Sequence, residues 1–229
     1  MKIPALAVAS AIVVLAAGCG GSSGPSAASV VSRSAAATAK QKSFHVVVGV
    51  DGAALTSKSG LTLTFADGDV IVPGKMKARV GGSFLGIPLR SELVVVGAKH
   101  WLRNPLSGAW QNVSIGLGPA TFFDPKTGVL PVISAAHDLK VAGSEKVGAV
   151  DCYRLTGKVP AGKIAPLVGA KAATNDLVPI ELWIGKRDSL LYRVRVDGPL
   201  AAGDAKNATR TVELSNFGER VVITAPRGT

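Results

Sequence analysis

In the segment Lys75-Met76-Lys77-Ala78-Arg79-Val80, cations alternate strictly with apolar residues. A strand sends successive side chains to opposite faces, so this segment has one dry face and one positive face. Similar strand signals recur. Phe44 to Val50 is β-branched and ends at the turn pair Asp51-Gly52. Leu61, Leu63 and Phe65 alternate with Thr62 and Thr64, and Ala66-Asp67-Gly68 reads as a stop before Val70 and Val72. Residues 85–96 and Trp101-Leu102 predict two more strands, separated by Gly97. Shorter ones are expected at 139–141 and 152–155. The last third predicts strands over 178–184, 191–196, 211–214 and 220–224. In the second of these, Tyr192, Val194 and Val196 stand opposite Arg193 and Arg195.

Helical signals are fewer. Ala27, Val30, Val31, Ala35 and Ala39 fall at helical spacing within residues 26–42, with Arg33 and Lys40 on the other side. Short helices are expected around 119–123 and 128–136, and over 160–168 with proline at the start. Many consecutive strands with a few segregated helices predict an α+β fold built on an antiparallel sheet. Pro and Gly are spread evenly, which predicts one domain over residues 26–229.

The N-terminus has a different pattern. Met1-Lys2 is a minimal positive region, and residues 3–15 are uncharged and mostly apolar. The run is shorter than the roughly 18 residues of a membrane span and ends in small residues. Residues 1–18 therefore read as a signal peptide. Cys19 directly after Leu15-Ala16-Ala17-Gly18 resembles a bacterial lipobox, which implies cleavage before Cys19 and acylation of its thiol. An ordinary signal peptide with a chance cysteine is the alternative. The Gly20-Gly21-Ser22-Ser23-Gly24-Pro25 tract favours the lipobox, because residues 19–25 then form a flexible tether behind the anchor.

The chain has 229 residues, net charge +11 and only two cysteines. Acylation of Cys19 leaves Cys152 without a disulfide partner, so it reads as a small buried hydrophobe. His45, His100 and His137 lack ligand spacing, and no metal or cofactor is expected. Gly82-Ser83-Phe84-Leu85-Gly86 has the wrong order for a nucleophile elbow, and no phosphate-binding loop or dinucleotide fingerprint is present. The chain is not expected to be an enzyme. Export and the lack of interleaved aromatics argue against nucleic acid. Lys75, Lys77, Arg79, Arg90, Arg193 and Arg195 are expected to look outward. They would serve either an anionic membrane surface or plain solubility.

The aromatic residues are 3 Trp, 2 Tyr and 6 Phe. A sheet and short, alanine-rich helices with so few aromatics could close as a packed Val and Leu core. They could also curve around a space filled by lipid. Neither composition nor alternation separates the two.

Several landmarks bear on this: Lys42-Ser43-Phe44-His45, Gly74-Lys75-Met76-Lys77, Phe123-Asp124-Pro125 before Gly128-Val129-Leu130, residues 143–148, residues 153–157, and Leu182-Trp183-Ile184-Gly185. In this order behind a lipobox, the chain resembles the mycobacterial and actinobacterial lipoprotein family that includes LppX, LprA, LprF and LprG. The resemblance spans residues 43–226. It implies a LolA/LolB-like fold, a strongly curved antiparallel half-barrel backed by a few helices around an apolar cavity. It also implies a monomeric carrier of acyl lipids or glycolipids, such as phthiocerol dimycocerosates, acylated phosphatidylinositol mannosides or triacylglycerol. The carrier would be anchored on the extracytoplasmic side of the cell membrane and would work with a membrane lipid transporter. On this expectation the dry-face residues Val46, Val48, Leu61, Leu63, Met76, Val80, Leu93, Val95, Leu182, Ile184 and Val194 contact lipid. The competing expectation is a tethered accessory protein for an envelope sensor or transporter, with no lipid transfer of its own.

Overall fold

The computed structural model describes residues 24–56, 61–114, 119–122, 124, 128–168 and 176–227. At its centre, strand β1 (Ser43–Asp51) pairs with β3 (Leu61–Ile71) on one side and β12 (Thr209–Ser215) on the other. Beyond β3 the sheet continues through β4 (Lys75–Phe84), β5 (Ile87–Val96) and β6 (Lys99–Arg103) to the edge strand β7 (Trp110–Asn112). Beyond β12 it continues through β11 (Leu191–Asp197), β10 (Leu177–Gly185) and β9 (Val150–Pro160) to the other edge, β8 (His137–Val147). The two-residue β2 (Leu55–Thr56) pairs with β3 off this path. All pairings among the described residues are antiparallel, and β7 and β8 end the order without meeting. The result is an open half-barrel.

Its inner side is covered by short helices. They are α1 (Ala27–Thr38), α2 (Pro119–Phe122), α3 (Val129–Ser134) and α4 (Ala161–Ile164), with a 3-10 turn over Ala165–Val168. Ser26 caps α1 by accepting from the Ser29 N–H at 3.3 Å, which satisfies one of the donors a helix start leaves free. The sequence pattern predicts α1 out to residue 42, with Ala35 and Ala39 on its buried face. The helix stops at Thr38, and its buried residues are Ala27, Val30, Val31, Ser34 and Thr38. Thr38 Oγ1 accepts the Leu191 N–H at 3.0 Å, so a polar side chain tied to the sheet occupies the place expected of an alanine.

Other expectations also change. Ala66-Asp67-Gly68 is not a stop, and β3 runs through it. Gly68 sits so close to β4 that a Cβ there would lie 2.1 Å from the Lys77 carbonyl oxygen. Here glycine marks close strand approach rather than a turn. A bulge between Leu63 and Phe65 changes the strand's parity, so Leu61, Leu63, Ala66 and Val70 all face inward. A second bulge between Trp183 and Ile184 sets Leu191 opposite Ile184 in the core. Tyr192, expected beside Val194, packs instead with the Val147, Cys152 and Trp183 cluster. Residues 220–224 form no strand, yet Ile223 is buried against Val94 and Trp101 on the outer face.

Candidate functional site

Residues directly opposite across an antiparallel pair share a face, so the strand registers define rows across the half-barrel. One inner row runs Ser91–Val80–Ala66–Val48–Val212–Val194–Leu182–Leu155–Val141, from β5 to β8. After Ser91 every member is aliphatic. The neighbouring rows carry Leu93, Ala78 and Val46 on one side of it, and Val50, Val196 and Ile180 on the other.

All eleven dry-face residues fall on this concave side. Leu61, Leu63, Val80, Leu93, Val95, Leu182, Ile184 and Val194 belong to the main core cluster, with Val48 and Met76 packed against it. Val46 belongs to a second cluster with Phe44, Val70 and Leu214, which Val48 and Met76 also touch. Met76 and Val48 thus bridge the two. The alternation of Lys75, Lys77 and Arg79 with Met76, Ala78 and Val80 is realised as read, with the cations exposed.

An apolar space of about 60 Å³ lies between the helices and the sheet. Val132 and Ile133 of α3, Ile164 of α4 and Leu167 of the 3-10 turn face Ile180, Val194, Val196 and Val212 across it. The sequence pattern does not announce the helix side of this space, because segments of four to six residues carry no periodicity.

Arg210 is likewise absent from the predicted dry face. It sits on the concave side between Val50 and Val196 and is 6% exposed. The signal was present: Arg210, Val212 and Leu214 are in phase along β12. Its Nη2 lies 2.6 Å from Asp204 Oδ2, and its Nε has no hydrogen-bond partner. Asp204 Oδ2 also accepts from the Leu200 and Ala201 N–H groups at 2.8 and 2.9 Å. Burial works against the Asp204 charge, but these donors together hold its carboxyl below the usual aspartate range.

The outer face is polar. One outer rung runs Glu92–Arg79–Asp67–Val47–Glu213–Arg193–Trp183–Arg154 across the sheet. Arg79 Nη2 is 2.8 Å from Asp67, and Arg193 Nε is 2.9 Å from Glu213. The Arg193 guanidinium also lies over Trp183, 5.1 Å from the ring centre. Arg195 pairs with Asp197 at 2.9 Å. Three of the six outward cations are therefore compensated locally, which thins the positive face that charge counting suggests. On the same face, His45 Nδ1 is hydrogen-bonded to Asp69 Oδ1 at 2.8 Å, and its Nε2 lies 3.2 Å from Asp67 Oδ1. A depression of about 930 Å³ on this side is bordered by Phe65, Asp67, Arg79, Arg90 and Glu92.

Cys152 is fully buried, and that burial pushes its thiol up to about 11. Among the described residues no group of three His, Cys, Asp or Glu side chains is placed to hold a metal ion, and no helix is long and apolar enough to cross a membrane. Cys19, the signal segment, Phe123 and Pro125 lie outside the described residues.

Residues 26–223 match the family model described as LppX_LprAFG lipoprotein. The lipoarabinomannan carrier protein LprG of Mycobacterium tuberculosis is 28% identical over 240 residues, covering 98% of this chain and 95% of the relative. Lipoprotein LprA of the same organism is 28% identical over 109 residues, covering 47% of this chain and 43% of its own. Among solved structures, LprF from Mycobacterium bovis superposes with a TM-score of 0.71 at 21% identity, covering 88% of this chain and 97% of that one. LppX from Mycobacterium tuberculosis gives 0.64 at 20% identity, covering 86% and 98%. Both share this fold.

Proposed function

The chain belongs to the LppX_LprAFG lipoprotein family, and from that membership we propose that it is a cell-envelope carrier of acylated lipids or glycolipids. The observation that carries this reading is the inner row of aliphatic side chains, unbroken from Val80 on β4 to Val141 on β8. Such a wall is suited to acyl chains, each CH₂ gaining about 0.8 kcal/mol on leaving water. No reacting group is needed for this task. Binding and release are the whole of its action.

A space of about 60 Å³ holds roughly two waters' volume, far less than an acyl chain. Loading therefore widens it. The parts that yield are α3, α4 and the 3-10 turn, which are short and held by apolar contacts across the space, whereas the sheet is held by continuous ladders. A relative that covers nearly the whole chain is named as a lipoarabinomannan carrier, which supports a ligand with acyl chains and a glycan. The chains would lie on the wall and the sugars outside it.

Anchoring follows from the lipobox. We place an acyl anchor on Cys19, the folded domain on the extracytoplasmic side, and a membrane lipid transporter as its partner. Native mass spectrometry of the chain exported from an actinobacterial host tests the carrier reading. The wild type should retain acyl lipid and Met76→Trp, which fills the junction of the two core clusters, should retain less. Recovery of no acyl lipid from either protein would leave only the accessory role.

A further inference from the structure

Strands β4 and β5 are joined through Leu85 and Gly86, whose φ angles are +49° and +83°. Two positive φ values are what a tight hairpin of the primed kind requires, and glycine meets that need freely. Leucine does not. The other non-glycine residues with positive φ among the described residues are Asp138, Ser189 and Asn216, all with short polar side chains. Leu85 has no such compensation, and it is 73% exposed. Phe84 and Ile87 beside it are 44% and 72% exposed. A strained turn thus holds an apolar cluster in water, where folding gains nothing from it.

The register ties this tip to the concave wall. Ile87 pairs with Phe84, and Phe84 with Leu61, which is 2% exposed. The next inner row holds Leu89 and Leu63, both buried. Along β3 and β4 the apolar wall therefore runs without a polar break onto the exposed tip, and on β5 only Ser91 interrupts it. Exposed Arg90 stands three residues behind Ile87, roughly 10 Å back along the strand. On the outer face it shares a row with Gly81 and the partly exposed Phe65.

We propose that the β4–β5 hairpin is a lip that dips into an anionic bilayer surface and passes acyl chains onto the concave wall. This rests on the carrier reading and adds the place where lipid enters. Three side chains at a turn are a small target for a protein partner, since specific interfaces bury about 800 Å² on each side. They suit a bilayer. An apolar tip immersed 5–10 Å, with a cation set back at headgroup level, satisfies both the tail region and the anionic surface.

A fluorescent reporter at the tip tests this. Leu85→Trp, and separately Ile87→Trp, are made in the full exported chain and mixed with vesicles of phosphatidylcholine and phosphatidylglycerol carrying brominated acyl chains. Val222→Trp, at an 88% exposed site beside Ile223 on the outer face, serves as the comparison. Each variant is first matched to the wild type in melting, and the wild-type emission of Trp101, Trp110 and Trp183 is subtracted. Either tip reporter should lose fluorescence to the brominated chains while Val222→Trp does not, and Ile87→Asp added to Leu85→Trp should abolish that loss. Equal quenching at the tip and at Val222→Trp, or none at either tip reporter, would overturn the lip. Retained lipid is measured on the same samples. Quenching at the tip without retained lipid would sink the carrier reading, and with it the passage of lipid, and leave the hairpin as a membrane contact alone. Retained lipid without quenching would sink the lip alone.

Discussion

Arg210 and Asp204 form an ion pair within the apolar interior, with 2.6 Å between Nη2 and Oδ2 and side chains only 6% and 8% exposed. Removing one partner leaves the other charged and dry, which is far more damaging than never having had the pair. Asp204→Asn is expected to destabilise the chain by about 3 kcal/mol, measured by urea unfolding. Asp204→Asn combined with Arg210→Met should recover much of that loss, because no uncompensated charge remains. If both variants lose the same amount, the pair is not what matters at this site.

The same carboxylate predicts a pH dependence. Burial disfavours its charge, but the Leu200 and Ala201 N–H groups and Arg210 outweigh that and lower its pKa below the ordinary 3.8. An acid whose folded pKa is depressed contributes stability that is present above the unfolded pKa and lost as pH falls through the folded one. The stability gap between wild type and Asp204→Asn should therefore be flat above about pH 5 and narrow below about pH 4. A gap independent of pH down to acid unfolding would contradict the assignment to Asp204.

Strict alternation was the most legible feature of the sequence. Lys75 to Val80 reads directly onto β4 because no bulge falls within it to disturb its period of two. Elsewhere the chain breaks that period with single residues. The bulges at Leu63/Phe65 and Trp183/Ile184 shift parity, and nothing local to those residues announces them. That is why the alternation sets Tyr192 on the wrong side of its strand, while Leu61 and Leu63, which precede the first bulge, face inward as it predicts.

The edges and the cover were harder to read. β8 extends over His137–Val147 although nearly all of it is exposed, so Leu139 and Val141 are its only apolar signal on the inner side. Its charged residues suit an unpaired edge, where they discourage another strand from adding. Ile223 looks like part of a strand, but it is buried by packing on Val94 and Trp101 rather than by pairing. The buried face of α1 ends in Thr38 because the sheet supplies a donor there, a fact that belongs to Leu191 and not to the helix. Period supplies the alternating part of the apolar wall, but not which face of an all-apolar strand turns inward. The ion pair inside it could not be inferred from period, since Arg210 and Asp204 sit on different segments.

Cys152 should be chemically silent in the native chain. With the thiol raised to about 11 by burial, it is almost wholly protonated at neutral pH and out of reach. In a Cys19→Ala background, a thiol-reactive dye should label it only as fast as the chain opens. The labelling rate should rise with urea in step with unfolding. Prompt labelling in native buffer would mean that the Val147, Cys152 and Trp183 cluster opens on its own.

Gly68 and Gly49 offer a contrast between two strand glycines. A Cβ on Gly68 would lie 2.1 Å from the Lys77 carbonyl oxygen and 2.4 Å from the Ala78 Cα, so β3 and β4 would have to part. Both obstacles are backbone, and a rotamer change cannot relieve them. At Gly49 nothing lies within 4 Å of the corresponding position. Gly68→Ala is expected to cost at least about 2 kcal/mol through overpacking, whereas Gly49→Ala should be neutral or gain up to about 1 kcal/mol from the lower chain entropy of alanine. Urea unfolding of the two variants checks both signs. A Gly68→Ala protein as stable as the wild type would mean that β3 and β4 are farther apart than described.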